Sequence, residues 1–403
     1  PHFRLLTPGP RPTDSATPVV SAFYDRFPYP ADPIQDGPPP GYNWRWSHAD
    51  AHSSCAGVLP PQRPTLRILD AGCGTGVSTD YLAHLNPGAE ILAVDISAGT
   101  LAMAQERCQR SGAIEQATVR FQQRSLLDLA GEGPFDHINS VGVLHHLDNP
   151  QAGLKALAPL LAPGGILHLF LYADAGRWEI HRVQRALGLL GAGYGQEGLR
   201  MGRALLRELP EENRLRQRHE SRWAIDTAHD PNFADMYLHP QETSYDLRRL
   251  WDFVAAADLH FLGFSNPEQW QLERLLQGEL LERAQALPQE QQWLLMEALD
   301  PEISHWEFFL SNQPLARQGW TDDQQLMAAI GTRSGCLWGW PSPNLLDRNM
   351  APLQLSDEQW ALMQAVNPDQ NLGSLDLALT PAQRCKAARE MHAAGVLLLA
   401  KGR

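Results

Sequence analysis

The sequence predicts an α/β protein in which a parallel sheet is covered by helices and a small separate unit follows at the C-terminal end. Three observations predict it. From Leu66 onward, short apolar runs of strand type alternate with longer stretches of helical spacing. A glycine loop, Gly72–Cys73–Gly74–Thr75–Gly76, joins the first of those runs to a helix. And 403 residues exceed one average domain, so a second unit or large insertions must be accommodated. The expected division is an arm over 1–65, a main domain over 66–312 with helical inserts at 173–240 and 266–300, and a C-terminal unit over 313–403.

The arm is rich in proline and aromatics through Phe23–Tyr24–Asp25–Arg26–Phe27–Pro28–Tyr29–Pro30, so no long helix fits there. Tyr42, Trp44 and Trp46 alternate with polar residues, as in a short strand or an extended arm. The expected strands are Arg67–Ala71, Glu90–Asp95, Thr118–Gln122, Phe135–Val143 and Gly165–Tyr172. Ser97 is the expected N-cap of a helix running to Ser111, and Pro163–Gly164–Gly165 should stop a helix that starts near Pro150. Beyond Tyr172 the pattern is helical to His239. A helix near Ser244–Ala257, a strand near His260–Ser265, an amphipathic helical insert to Leu299 and a strand over Ser304–Ser311 complete the main domain. The C-terminal unit carries a Trp/Pro/Gly segment, Trp338–Pro343, then short helices and the apolar run Gly395–Ala400.

Composition narrows the partners. Asp plus Glu number 46 against 33 Lys plus Arg, a net charge of −13 that repels phosphate backbones, so nucleic acid is not expected as a substrate. The apolar runs fall well short of the roughly 20 residues that cross a bilayer, and no membrane association is expected. Five scattered cysteines form neither a disulfide framework nor a zinc pattern, which fits reduced thiols in a cytoplasmic protein with no metal site.

Asp70 precedes the first glycine by two positions, and an acidic residue there opposes the pyrophosphate of a dinucleotide. Asp95 ends the next strand, where a carboxylate can accept from both hydroxyls of a ribose. With these residues, and with Pro134–Phe135–Asp136, Gly142–Val143–Leu144–His145–His146–Leu147 and Leu161–Ala162–Pro163–Gly164–Gly165 in the same order and spacing, the chain resembles the class I S-adenosylmethionine-dependent methyltransferases. The resemblance implies a Rossmann-like seven-stranded sheet with S-adenosylmethionine as the cofactor. It implies that Asp70 holds the methionine part, that Ala71, Gly72, Cys73, Gly74 and Gly76 pass beside it, and that Asp95 with Ile96 meets the ribose. Ser140 on the fourth strand completes the implied set. Where relatives often carry an acidic residue for the adenine, this chain has Ser125, so the contact is expected from the Ser125 hydroxyl and the Leu126 amide. Asp128 reads as a helix-start carboxylate.

Methyl transfer from a sulfonium is an in-line displacement that asks mainly for alignment, and a base only where the nucleophile still holds a proton. His145 and His146, at the carboxyl edge of the sheet, are either a base and a substrate contact or scaffold residues. Tyr172, with Asp174 and Arg177, is placed to touch an acceptor. Tyr24 and Tyr29 resemble aromatics that close over the cofactor, and they equally suit a packing staple. His239, within Asp235–Met236–Tyr237–Leu238–His239–Pro240, either anchors a loop or faces the pocket. The expected acceptor is a small molecule or peptide, enclosed by the arm and the 173–239 insert, whose amphipathic helices would also suit a homodimer surface. The C-terminal unit resembles a winged-helix module. It lacks a strongly basic recognition helix, having Arg384, Lys386 and Arg389, so protein contact or packing is expected of it rather than DNA binding. Two further readings stand beside this one: a protein methyltransferase that docks its target on the C-terminal unit, and a non-catalytic cofactor-binding subunit.

Overall fold

A computed structural model describes residues 17–402; the part of the expected arm before Thr17 lies outside the described residues. Seven strands form one sheet: β1 (Arg67–Ala71), β2 (Glu90–Asp95), β3 (Thr118–Gln123), β4 (Phe135–Val141), β5 (Leu161–Tyr172), β6 (His260–Phe264) and β7 (His305–Ser311). Their order is β3-β2-β1-β4-β5-β7-β6. The first five run parallel, and β7 is antiparallel to both β5 and β6. The chain leaves β1 toward β2 on one side and returns to β4 on the other, so a crevice opens above the carboxyl ends of β1 and β4, where open α/β sheets bind ligands. Near-continuous apolar runs such as Ile91–Val94 are buried on both faces, as a central parallel strand requires.

Three local expectations are corrected. Trp44–Trp46 is a turn of 3-10 helix, because the Asn43 side chain accepts from the Arg45 N–H and Ser47 then caps a helix over His48–Ala56. The helix from Pro150 closes at Leu157 with one further 3-10 turn to Leu160; Pro163–Gly165 lie inside β5, where the register with β4 jumps from Phe135↔Leu161 to His137↔Ile166. The helix expected near Ser244 starts at Leu247, capped by the Asp246 carboxylate. The arm also holds a ten-residue helix, Thr17–Arg26, whose buried Phe23 packs with Phe27 onto Ile180, Val183, Phe233 and Leu238 of the insert.

The C-terminal segment has its own apolar cluster, built from Leu326, Leu362, Met363, Leu372, Ala388, Met391, Leu397 and Leu399 among others. Two short antiparallel ladders run through it: β8 (Ile330–Arg333) with β11 (Leu397–Ala400), and β9 (Asn344–Leu346) with β10 (Pro352–Gln354). It seats on residues 42–59 of the arm. The Tyr42 hydroxyl donates to the Asp347 carbonyl at 2.6 Å, Trp44 Nε1 donates to Asn349 at 3.1 Å, and Leu59 N–H donates to the Leu399 carbonyl at 2.8 Å. All five cysteines are unpaired and buried. No helix among the described residues is long and apolar enough to cross a membrane.

Candidate active site

The glycine loop leaves β1 with Gly72, Gly74 and Gly76 all at positive φ. At two of them the missing side chain is what lets the site form. A Cβ on Gly74 would stand 2.6 Å from the Tyr29 carbonyl oxygen of the arm, and one on Gly76 would stand 2.7 Å from the Ala104 Cα of the neighbouring helix. The arm is therefore laid directly over the loop. Thr75 N–H donates to the Tyr29 carbonyl, the Thr75 hydroxyl donates to the Pro30 carbonyl at 2.8 Å, and buried Arg107 donates to the carbonyls of Asp32, Pro33 and Thr75.

A cavity of about 230 Å³ opens at this point. Gly72, Cys73, Gly74, Asp95 and Ile96 line one side, Ser125 and Leu126 a second, Val141–Val143 and His146 the floor, and Val20, Tyr24 and Tyr29 the arm side. Asp95 accepts from Ser97 N–H and the Thr100 hydroxyl on Oδ1, and from Gly74 N–H at 2.9 Å on Oδ2. Oδ2 thus keeps a lone pair toward the cavity. Burial pushes the Asp95 carboxyl up, and the hydrogen bonds from Ser97 and Gly74 oppose it. These residues fit a nucleoside with a short zwitterionic tail: a carboxylate for vicinal hydroxyls, apolar Ile96 and Leu126 for a base, and backbone exposed by glycine.

Four expected contacts are absent from this wall. Asp70 is 1 % exposed and outside the lining: Asn139 donates to Oδ1 at 2.9 Å, while Ser78 and Thr79 donate to Oδ2 at 2.7 and 2.6 Å. Its carboxylate ties the helix after the loop to β4. Ala71 belongs to the core, Gly76 packs on the helix Ala98–Ser111, and Ser140 is buried within β4 with an unpartnered hydroxyl. Asp128 closes a 3-10 turn over Leu126–Asp128 and is also outside the lining.

Beside the first cavity lies a second of about 270 Å³, walled by Tyr29, Phe170, Tyr172, Arg177, Trp223, Asp226, Asp235 and His305. Tyr29 borders both. Between them sits a buried cluster. The Tyr24 hydroxyl donates to Asp235 Oδ1 at 3.0 Å and the Tyr172 hydroxyl to Oδ2 at 3.4 Å. His145 stacks on Tyr172 with centroids 3.8 Å apart and places Nε2 3.1 Å from His146 Nε2. His146 and His239 face each other at 3.7 Å between ring centroids. Five residues singled out in the sequence, Tyr24, His145, His146, Tyr172 and His239, therefore meet in one place.

Burial dominates the electrostatics of this cluster. Burial pushes the Tyr24 and Tyr172 hydroxyls up, reinforced by Asp235, so both stay protonated donors. Burial and the neighbouring His146 push His145 and His239 down. Burial raises the Asp235 carboxyl against the pull of His146 and Tyr24. Glu242 behaves differently: burial disfavours its charge, but Arg177 and His181 outweigh that and bring it down to about 2. Arg177 meets both Glu242 oxygens at 3.0–3.1 Å and lies 3.5 Å over the Tyr172 ring.

Asp235 is the member that sequence reading passed over. Its signal was the spacing to His239, four residues on, where the helix Asp230–Leu238 and its exit put both on one face. Asp235, His146 and His239 also form the one group of three among the described residues that could gather round a metal, with one ligand-capable atom of each within 4.8 Å of the others.

Comparison with known proteins bears on the same residues. A family model described as "Methyltransferase domain" matches residues 69–167. An uncharacterized protein of Synechococcus sp. is 51% identical over 376 residues, covering 92% of this chain and 88% of its own length. A ubiquinone biosynthesis O-methyltransferase of Xanthomonas campestris is 33% identical over 137 residues, 31% of this chain and 55% of that protein. Among solved structures, PKMT2 from Rickettsia typhi superposes with a TM-score of 0.61 at 18% identity, over 90% of this chain and 77% of that one.

Proposed function

Because the chain belongs to the class I S-adenosylmethionine-dependent methyltransferases and takes S-adenosylmethionine as its cofactor, we propose that it methylates a small molecule or peptide held in the second cavity. The observation that carries the proposal is the shared wall: Tyr29 borders both cavities, and Tyr24, His146 and Asp235 stand at their junction. An in-line displacement needs donor and acceptor on opposite sides of the moving carbon, and two adjoining chambers supply that alignment. When bound, the cofactor supplies an activated methyl group and a neutral thioether leaving group.

The chain's own residues do the rest. Asp95 receives a ribose hydroxyl on its free lone pair, Ile96 and Leu126 flank the adenine, and Gly72–Gly74 let the amino-acid tail approach the loop backbone. Ser125 and the Leu126 amide are proposed as the adenine's polar contacts. The arm, fastened over the loop through Thr75 and Arg107, excludes water from the first cavity. His145 stacks on Tyr172 and steadies His146 rather than reaching the substrate.

For the C-terminal unit we propose packing or protein contact. Its elements run helix, β8, the β9–β10 hairpin, two helices and β11, so a hairpin interrupts the winged-helix succession, and the basic residues of Pro381–Ala393 are engaged. Arg384 donates to the Leu372 and Gly373 carbonyls, Arg389 to the Trp320 and Thr321 carbonyls, and Lys386 lies 3.9 Å from Glu390. No residue beyond 305 lines either cavity, which counts against acceptor docking there.

The cofactor assignment is tested by calorimetry on Asp95→Ala. Loss of a charged acceptor should weaken S-adenosylmethionine by about 1.5–3 kcal/mol, and unchanged affinity would remove Asp95 from the site. The acceptor class is tested by incubating the protein with methyl-labelled cofactor and a fractionated cell extract. Label in small solutes or peptides is expected; label in intact protein alone would refute it.

A further inference from the structure

The backbone of one residue, Gln241, meets two active-site histidines through its N–H and its carbonyl. The Gln241 carbonyl lies 2.8 Å from His146 Nδ1, and the Gln241 N–H points at His239 Nδ1 at 3.1 Å. A carbonyl can only accept and an amide N–H can only donate, so the tautomers follow. His146 therefore donates from Nδ1, and its Nε2 lies 3.1 Å from His145 Nε2. His239 presents an Nε2–H. That group is buried, in a residue 8 % exposed, and has no protein partner. A buried donor left without an acceptor costs free energy, and although His239 lines neither cavity, its ring packs on Tyr24 and His146, which line the first, so an acceptor atom entering between those rings would meet it. Close by, each Asp235 oxygen takes one tyrosine hydrogen bond and keeps a further lone pair.

Resting on the reading that the acceptor sits at the junction of the two cavities, we infer that the methylated atom is a phenolic hydroxyl oxygen, gripped by His239 Nε2–H and deprotonated by Asp235. The argument is a count of lone pairs. A neutral amine has one, and a fixed N–H donor would hold the pair that must attack. A hydroxyl oxygen has two, so one can be held while the other reaches the methyl carbon. A carboxylate acceptor would meet Asp235 with like charge. A phenol, ordinarily titrating near 10, is far closer to a carboxylate base than an aliphatic alcohol is. The aromatic walls of Phe170, Tyr29 and Trp223 suit a flat ring. The new O–C bond forms from the free oxygen lone pair, the S–C bond breaks with its pair staying on sulfur, and the hydroxyl proton goes to Asp235. The same tautomer count opposes a metal at His146, Asp235 and His239, because Nε2 of His239 has a proton where a metal would need a lone pair.

Two measurements decide the matter. The first reads histidine tautomers in the full chain by long-range ¹⁵N–¹H correlation, assigned with His146→Gln and His239→Gln. His146 as the Nδ1–H form and His239 as the Nε2–H form are expected; His239 as the Nδ1–H form or as imidazolium would overturn the inference. The second supplies S-adenosylmethionine labelled with ¹³C in its methyl group, together with the extract fractions, and reads the carbon environment of the product. An aryl methoxy carbon is expected. An N-methyl or S-methyl product would overturn the phenol while leaving the acceptor site intact, whereas no labelled product despite calorimetric cofactor binding would bring down the acceptor reading itself. Once the acceptor is in hand, His239→Phe should lose about tenfold or more in turnover, and His239→Gln, which restores an N–H donor, should regain part of it. Equal loss in both would show that His239 only packs.

Discussion

Residues 17–30 and residues 42–59 belong to one N-terminal arm, yet they are fastened by different physics. The first stretch lies on the glycine loop through hydrogen bonds from Thr75 to the Tyr29 and Pro30 carbonyls, its Asp25 carboxylate accepts from Ser97 and Gly99, and it presents Tyr24 and Tyr29 to the cavities. The second is pinned by burial. Trp44, Ala51 and Cys55 form one apolar cluster with Ile166 and Phe309 of the sheet and Cys336 of the C-terminal unit, and Arg45 pairs with Glu307 at 2.9 Å. The lesson is that proximity in sequence does not assign a role. Changes in the first stretch should register in turnover, and changes in the second in stability, Trp46 excepted, because it also lines the first cavity.

The strongest way to break this distinction is Trp44→Ala. The ring is 1 % exposed, contacts Phe309 and donates to Asn349, so truncation should cost about 3–5 kcal/mol in urea unfolding. Cofactor affinity of the folded fraction should stay unchanged. A coupled loss of affinity would show that the two stretches act as one.

Acid titration sharpens the comparison next. Each side holds a buried glutamate brought down to about 2 from an ordinary 4.5: Glu242, where Arg177 and His181 outweigh burial beside the second cavity, and Glu307, where His168 and Arg45 outweigh it beneath the second stretch. A folded-state pKa below the unfolded one adds stability that is full above about 4.5 and is lost as pH falls toward 2. Each contributes on the order of 3 kcal/mol at neutral pH. Glu242→Gln and Glu307→Gln should each flatten that acid limb, measured by urea midpoints from pH 6 to 2.5, and only Glu242→Gln should also reduce turnover. Equal effects on turnover would remove the distinction.

A smaller effect is expected from Tyr24→Phe. It deletes the donor to Asp235 Oδ1 without changing the ring, so about 1–3 kcal/mol should be lost from transition-state stabilisation while the cofactor dissociation constant holds within about twofold. Steady-state kinetics alongside calorimetry separates the two. Unchanged turnover would make Tyr24 a packing residue.

Much of this was legible before any coordinates. The five parallel strands and the Ser97 cap follow from alternation and glycine positions, and His145, His146 and Tyr172 from where strands end, whereas Tyr24 and His239 were singled out by resemblance, each with a packing alternative. Asp70 shows what pattern leaves out: the motif marks an acidic residue beside the loop, but only the fold reveals that it is buried and bonded by Ser78, Thr79 and Asn139. Trp44–Trp46 alternates as a strand would, and the Asn43 side chain overrides that pattern by bonding the Arg45 N–H. Gln241 was invisible, and Asp235 was passed over, for another reason. Their roles depend on groups far away in sequence, the hydroxyl of Tyr24 and the ring of His146, and on a backbone unit whose identity no side chain announces.

The smallest expected effect is the most exacting test: ending the chain after Pro314 should leave the cofactor dissociation constant within about twofold. The C-terminal unit touches the arm only through the second stretch, so its removal could reach the first cavity only if residues 42–56 came loose. They have other anchors. Trp46 Nε1 donates to Asn139 at 2.9 Å, Asn86 donates to the Trp46 carbonyl at 2.7 Å and accepts from His48 N–H at 2.8 Å, and Arg45 keeps Glu307. Asn139 is the residue that also holds Asp70 beneath the glycine loop, so these anchors lie on the side of the sheet that the truncation spares. Uncovering Trp44 and Cys55 should lower the melting temperature, and calorimetry at a temperature where the shortened chain is folded isolates the affinity. If the shortened chain proves too unstable, Asn349→Ala loosens the same seat by one hydrogen bond and reads the same coupling. A large fall in affinity with either change would mean that the seat of the C-terminal unit and the wall of the cofactor cavity are one structure, and the two stretches of the arm would have to be read as a single lever.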